Sequence, residues 1–342
     1  MVKRRLACLA CCAALLLSGC TVKLVQQPAE AGNDATPSPA ATDTEPSPAP
    51  PETGTKTKPV PKPVPTPTPI PAQPGSGPGF DDISIAFGFA DQTGSRLIVV
   101  DYVQDEGPDY DGPNFEDPAH YTMAIGQYGG LVRISYSSWQ DETGGNNYRD
   151  AAHNFDNLPG YVFSVADGML QPDKTYILIA EGPFIESFVA LYQPSAQPDG
   201  TYGYAPPAMM GRDAEDYIQM IKGRGVKWAE LLAETEGGGQ IGLVLFERQG
   251  DDMLFSIVYM DGDKVLFWDC PGQYDEYSTW RVDMGDEPGA FTPLFMARLD
   301  SGLMLTLTWG APEGESIVIL QEDNGRFVEN ADYSYSRYWS PP

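Results

Sequence analysis

Residues 241–268 read IGLVLFERQGDDMLFSIVYMDGDKVLFW. Three apolar runs, Ile241–Glu247, Met253–Tyr259 and Val265–Trp268, are separated by Gln249-Gly250-Asp251 and Asp261-Gly262-Asp263. Short runs rich in Val, Ile, Phe and Tyr, broken by Gly and Asp, favour extended backbone. Connections this tight can join only antiparallel neighbours, so the stretch predicts a three-stranded meander. A second stretch has the same design. Leu294–Arg298, Leu303–Thr308 and Ser316–Leu320 are joined by Asp300-Ser301-Gly302 and Pro312-Glu313-Gly314. Two propeller blades, or the two sheets of a sandwich, would both fit the pair.

The same grammar runs upstream. Ile83–Ala90 and Arg96–Tyr102 flank the turn-like pentad Asp91–Ser95, and Leu131–Tyr136, Tyr161–Val165, Thr175–Ala180 and Glu186–Tyr192 follow. The expected fold class is therefore mainly β, built of antiparallel meander sheets that are sandwich-like or partly propeller-like, with two short helices near 213–235. Asp213 reads as an N-cap for Ala214–Lys222, whose Ala214, Tyr217, Ile218 and Ile221 share a face. Val226–Glu234, with Trp228, Leu231 and Leu232, reads as the second helix before Gly237-Gly238-Gly239. The expected organisation is a β subdomain over 80–193, a helical connector over 194–235 and a β-meander subdomain over 236–342.

The first 79 residues have a different character. Lys3-Arg4-Arg5 is followed by an apolar run to Leu17 and then by Leu17-Ser18-Gly19-Cys20. This order resembles the signal peptide of bacterial lipoproteins, residues 1–19 here. The resemblance implies cleavage before Cys20, diacylglycerol on its thiol and acylation of the new amino terminus. It places the protein at a cell membrane, anchored by lipid and facing outside the cytoplasm. The apolar run is too short to cross a hydrocarbon core, which needs about 20 residues. Residues 20–79 then form a tether. Residues 21–79 hold sixteen of the chain's 32 prolines, and Lys58–Pro71 reads KPVPKPVPTPTPIP. Such composition predicts disorder and polyproline II, spanning roughly 40 Å over the Lys58–Pro71 run. A stalk for a surface domain and a proline-rich recognition motif are the two readings of it.

Cysteine usage agrees with export. Of Cys8, Cys11, Cys12, Cys20 and Cys270, only Cys270 lies beyond the lipobox, so no intrachain disulfide is available to the head. Its stability must come from packing. Seven of the 21 basic and five of the 48 acidic residues precede residue 80, which leaves 14 against 43 and a net charge of −29 on residues 80–342. That field excludes nucleic acid as a partner and repels anionic surfaces.

Leu170-Gln171-Pro172-Asp173-Lys174-Thr175-Tyr176 resembles the tyrosine corner of fibronectin type III and related sandwiches. The resemblance implies that the Tyr176 hydroxyl bonds back to its own loop, within a β-sandwich over 80–193.

Motifs for common catalytic chemistries do not occur. Gly237-Gly238-Gly239-Gln240-Ile241-Gly242 matches G-x-G-x-x-G, but a dinucleotide loop runs from strand to helix, and here a strand follows. His120, His153 and Cys270 do not have the close spacing of a zinc site. Carboxylates offer more. Asp109, Asp111 and Glu116 lie in an acidic, Gly- and Pro-containing loop, and calcium takes oxygen ligands of this kind, which makes it the one cofactor considered. Aromatic residues in polar, Gly-containing stretches are the ligand-binding candidates: Trp139, Tyr202, Tyr204, Tyr277 and Trp280, with Tyr148 and Tyr274. The tail Tyr333–Trp339 alternates aromatic and polar residues in the same manner. Flat rings beside hydroxyls stack on sugars or anchor a protein partner. Two functions remain: a non-catalytic module that binds a glycan, cell-wall polymer or protein, and an extracellular carboxylate-dependent hydrolase such as a glycosidase.

Overall fold

The computed structural model describes residues 79, 83–102, 117–194 and 207–339. All of them belong to one compact unit, residues 66–342. The lipobox and nearly all of the tether lie outside the described residues.

The chain is mainly β and antiparallel. Strands β1 (Ala86–Ala90), β2 (Arg96–Val100), β3 (Met123–Ile125), β4 (Leu131–Gln140), β5 (Gly160–Asp167) and β6 (Thr175–Ile179) close into a barrel in the order β1-β2-β5-β4-β3-β6. Side chains fill its interior: Ala86, Ala90, Leu97, Val99, Ala124, Ile134, Phe163 and Leu178 form one buried cluster. Tight crossing of β1 and β2 requires glycine at 88, where a Cβ would stand 2.4 Å from the Ile98 carbonyl oxygen. The Tyr176 hydroxyl accepts a hydrogen bond from the Gln171 N–H at 2.6 Å, the loop closure that the tyrosine-corner resemblance implies. The surrounding sheet is the closed barrel, however, and not the two-sheet sandwich implied for 80–193.

After a single helical turn, α1 (Pro183–Glu186), two-residue strands β7 (Phe188–Val189) and β8 (Leu191–Tyr192) join separate sheets. Helix α2 (Arg212–Lys222) and strands β9 (Val226–Thr235), β10 (Gln240–Phe246), β11 (Asp252–Asp261) and β12 (Lys264–Gln273) follow. The first sheet has the order β12-β11-β10-β9-β8. Strands β13 (Phe291–Leu299), β14 (Gly302–Ala311), β15 (Gly314–Asp323) and β16 (Arg326–Glu329) make the second, with β7 beyond β13. Strand β17 (Tyr335–Tyr338) also pairs with β15. The two meanders expected from sequence are thus the two sheets of a sandwich. Leu243, Leu245, Phe255 and Ile257 of the first meet Met296, Leu305, Leu307 and Val318 of the second.

The opposite face of the second sheet is also buried. Leu294, Phe295, Met304, Ile317 and Ile319 pack against Met123, Ile125, Ile177 and Ile179 of the barrel. Strands β13–β15 are therefore the middle layer between two cores. They read as continuous apolar runs for that reason.

Two expectations are corrected. Residues 226–235 form β9, not a second helix, and pair with β10 along their length. A bulge opposite the Ile241/Gly242 step puts two residues against one. Trp228 and Leu232 face one core and Leu231 the opposite one; a spacing of four falls on one face of a strand as it does of a helix. Consequently the sandwich draws strands from all three segments expected from sequence. Asp213 does not cap α2 either. Gly211 occupies that place without a side-chain bond, Asp213 lies in the first turn, and Gly223 ends the helix with φ +62°. Ile218 packs on Ala229, Val244 and Val258, while Tyr217 and Ile221 stay exposed.

One buried cation ties barrel to sandwich. Arg337 of β17 is 2% exposed. Its Nε donates to Glu315 Oε1 at 3.0 Å, and Nη1 donates to Asp173 Oδ1 at 3.0 Å and to the Asp150 carbonyl at 3.2 Å. Nη2 donates to the Asp173 carbonyl, and Thr175 donates its hydroxyl to Glu315. Phe89 and Trp339 flank the guanidinium, with ring centroids 5.1 and 4.9 Å away. Removing it leaves Glu315 buried without its charge partner, a change that typically costs about 3–5 kcal/mol. R337A is expected to lower the stability measured by urea denaturation by that order.

Candidate functional site

Residues 274–290 cap one end of the sandwich, between β12 and β13. Asp275 starts this segment by accepting from the Tyr277 and Ser278 N–H groups. Trp280 and Arg281 then turn inward. The Trp280 ring stands edge-on to Phe255, centroids 5.0 Å apart, and lies over Gly272. Glycine is required there, because a Cβ would come within 2.7 Å of the indole nitrogen. Around Phe255 stand Trp268, Phe291 and Trp309, the last two stacked at 5.2 Å. The Trp309 indole donates to the Pro288 carbonyl at 2.6 Å, which fixes the cap to the sheet.

Arg281 crosses to the second sheet. Its guanidinium lies 4.8 Å from the Trp309 ring centroid, Nη2 donates to the Trp309 carbonyl at 2.7 Å and Nη1 reaches Ser316 Oγ at 3.4 Å. Cross-strand register lines up Trp309 of β14, Ser316 of β15 and Ser336 of β17. The two serine hydroxyls are 2.9 Å apart. Tyr338 lies two residues beyond Ser336 and is 56% exposed. The arrangement is a half-buried guanidinium on an indole, at the head of a row of hydroxyls that opens to solvent.

Its electrostatics are unusual for so acidic a domain. Among the described residues no carboxylate pairs with Arg281; the Asp286 and Glu287 carboxylates of the same cap lie beside Lys227. Burial lowers the Arg281 pKa from the ordinary arginine value, and the nearby Tyr338 opposes that only in part. Arg281 Nε and Trp280 Nε1 are both buried and have no hydrogen-bond acceptor among the described residues. Desolvated donors without acceptors cost free energy, so such groups are rare outside sites that receive something.

The sequence candidates separate in space. Trp280 lies at this end as a wall residue, not an exposed platform. Tyr277 is 69% exposed on the same cap. Tyr274 lies under the Arg248 guanidinium, 4.0 Å from its ring centroid. Trp139 belongs to the barrel. It is half-buried, edge-on to Tyr161 at 5.0 Å, and donates its indole N–H to Asp141 Oδ1 at 2.7 Å. Tyr148 is exposed beside Tyr102. Tyr202, Tyr204, Asp109, Asp111, Glu116 and Cys20 lie outside the described residues. Among the described residues no group of three or more His, Cys, Asp or Glu could hold a metal ion. Cys270 packs against the sandwich core, and burial, then Glu329 and Asp269, push its thiol far above the ordinary range. The run Gly237–Gly239 is a hairpin turn between two strands.

Arg281, Trp309 and Ser316 were not singled out from sequence. Trp280-Arg281 within a polar stretch was the available signal; the partners of Arg281 come from strands that only the register brings together.

Three carboxyls stand above their ordinary range. Burial raises Asp150 against the opposing effects of its Tyr102 bond and Arg337. Burial alone raises Glu230 and Glu329. Among the described residues, no second carboxylate contributes to any of these shifts. Glu230 pairs with Leu243 in β10 and so shares the inner face of the sandwich, near Tyr128, whose φ is +55°.

No protein-family model matches the chain, and no curated protein or solved structure matches it.

A group whose folded-state pKa is raised holds its proton longer in the native than in the unfolded state. Stability therefore falls as pH rises from the ordinary glutamate range through the raised value. For Glu230 that loss disappears in E230Q. The variant is expected to gain on the wild type in denaturation midpoint between pH 4 and pH 7; a constant difference would contradict the burial of this carboxyl.

Proposed function

We propose that this is a lipid-anchored surface protein whose head binds a glycan, cell-wall polymer or protein without chemistry, at the sandwich end around Arg281. The observation that carries the binding part is the Arg281–Trp309–Ser316–Ser336–Tyr338 row. Aromatic rings, hydroxyls and one desolvated cation on a rigid sheet suit recognition, because little side-chain freedom is lost on contact. The anchor rests on the lipobox that ends at Cys20. The proline-rich segment is a stalk in this reading, and among the described residues no helix is long and apolar enough to cross a membrane.

Both parts have a direct test. Mass spectrometry of the amino-terminal peptide from the native host is expected to show acylated Cys20; an unmodified thiol contradicts the anchor. A screen of residues 80–342 against envelope glycans, wall polymers and extracellular proteins, with and without calcium, is expected to find a ligand. Y338A should then weaken it at least tenfold, while Y148A on the barrel leaves affinity unchanged. Unchanged affinity in Y338A would place recognition elsewhere, and stabilisation by calcium would bring Asp109, Asp111 and Glu116 back into the account.

A further inference from the structure

We infer that the ligand is a carboxylated sugar, and that Arg281 receives its carboxylate; this rests on the binding role proposed above. The strongest reason is the company Arg281 keeps. On residues 80–342, 43 acidic residues outnumber 14 basic ones, yet no carboxylate among the described residues pairs with this guanidinium. Among the other half-buried or buried cations, Arg96, Lys222, Lys264 and Arg337 have carboxylate partners, and Arg224 donates through Nε and Nη2 to backbone carbonyls; Arg281 differs from all of them in having a buried Nε with no acceptor among the described residues. Arg281 gains a backbone carbonyl and an indole face for the hydration it loses, but no counter-charge, and an anion from outside would supply one.

The surroundings select the anion. The field of the domain opposes multiply charged ligands, and a single guanidinium does not offset two negative charges. A carboxylate is a monoanion and matches the planar donor edge of arginine. Nη2 is committed to the Trp309 carbonyl at 2.7 Å, whereas the 3.4 Å reach from Nη1 to Ser316 Oγ is weak and readily exchanged. Nε has no acceptor among the described residues. Ser316 and Ser336 now spend a hydrogen bond on one another, and either can turn to a ligand hydroxyl. The exposed Tyr338 ring supplies a flat apolar surface with a polar tip at the open end. Hydroxyls and a ring in line with one cation fit an acidic pyranose better than a peptide, which would ask for backbone donors and acceptors along an open strand edge.

Titration calorimetry with the full-length protein tests this, using the methyl glycoside of galacturonic acid, its methyl ester and an end-capped peptide with a single glutamate as probes. The acid is expected to bind at least tenfold more tightly than the ester, with affinity falling as salt rises. R281Q should abolish the preference. Because R281Q also removes a packing group, S336D serves as the second variant: Ser336 is exposed and its hydroxyl is bonded to Ser316, so the change sets a fixed carboxylate beside the site and should abolish binding of the acid while the protein still unfolds in one cooperative transition. Equal binding of acid and ester would overturn the inference while leaving sugar recognition intact. Binding of the peptide alone would overturn the sugar assignment, and normal acid binding by S336D would remove the site. Failure of every probe would overturn the inference, whereas the broader screen for ligands decides the binding role separately.

Discussion

A sheet with both faces buried governs this structure. Strands β13–β15 give Met296, Leu305, Leu307 and Val318 to one core and Leu294, Phe295, Met304 and Ile319 to another. Apolar burial is the dominant favourable term in folding, and no disulfide is available to the head to supplement it. The barrel and the first sheet each lean on the same central strands. Neither can leave without exposing a predominantly apolar face to water.

The polar features follow from that layering. Where a two-faced sheet ends, its last rows must either be covered or become useful. On the barrel side, the rows end in Glu315 and Arg337, a matched pair largely shut away from solvent and bonded to the buried Thr175 and the half-exposed Asp173. On the sandwich side, the same strands end in Trp309, Ser316, Ser336 and Tyr338, with Arg281 brought over them by the cap. The alternation of a strand sends neighbours to opposite faces, so Arg337 and Ser336 lead separate lives one residue apart. One face uses its arginine to hold layers together; the other presents an arginine that no carboxylate among the described residues neutralises.

Much of the fold was legible in the sequence. The meanders could be placed because their turns carry Gly and Asp at tight spacing, and Gly250 and Gly262 do adopt positive φ. The Leu170–Tyr176 motif foretold a hydroxyl-to-loop bond because that bond is local. Strand β9 imitates a helix because Trp228, Leu231 and Leu232 stand at helical spacing, yet Leu231 packs on the opposite side of the sheet from the other two. Barrel closure was illegible, since the β1–β6 pairing joins segments about 90 residues apart with no short turn between them. The site was half legible. Trp280 and the Tyr333–Trp339 tail stood out by composition, but the partners of Arg281 meet it only through register, and its lack of a carboxylate is a property of space.

The claim that β13–β15 unite two cores into one cooperative body can be measured directly. Native-state hydrogen exchange across a urea series, resolved by peptide, follows barrel strands β2 and β5 separately from sandwich strands β10 and β11. The shared middle layer predicts that all four lose protection at one common urea concentration. Loss of protection in the barrel strands while the sandwich strands remain protected, or the reverse, would contradict it.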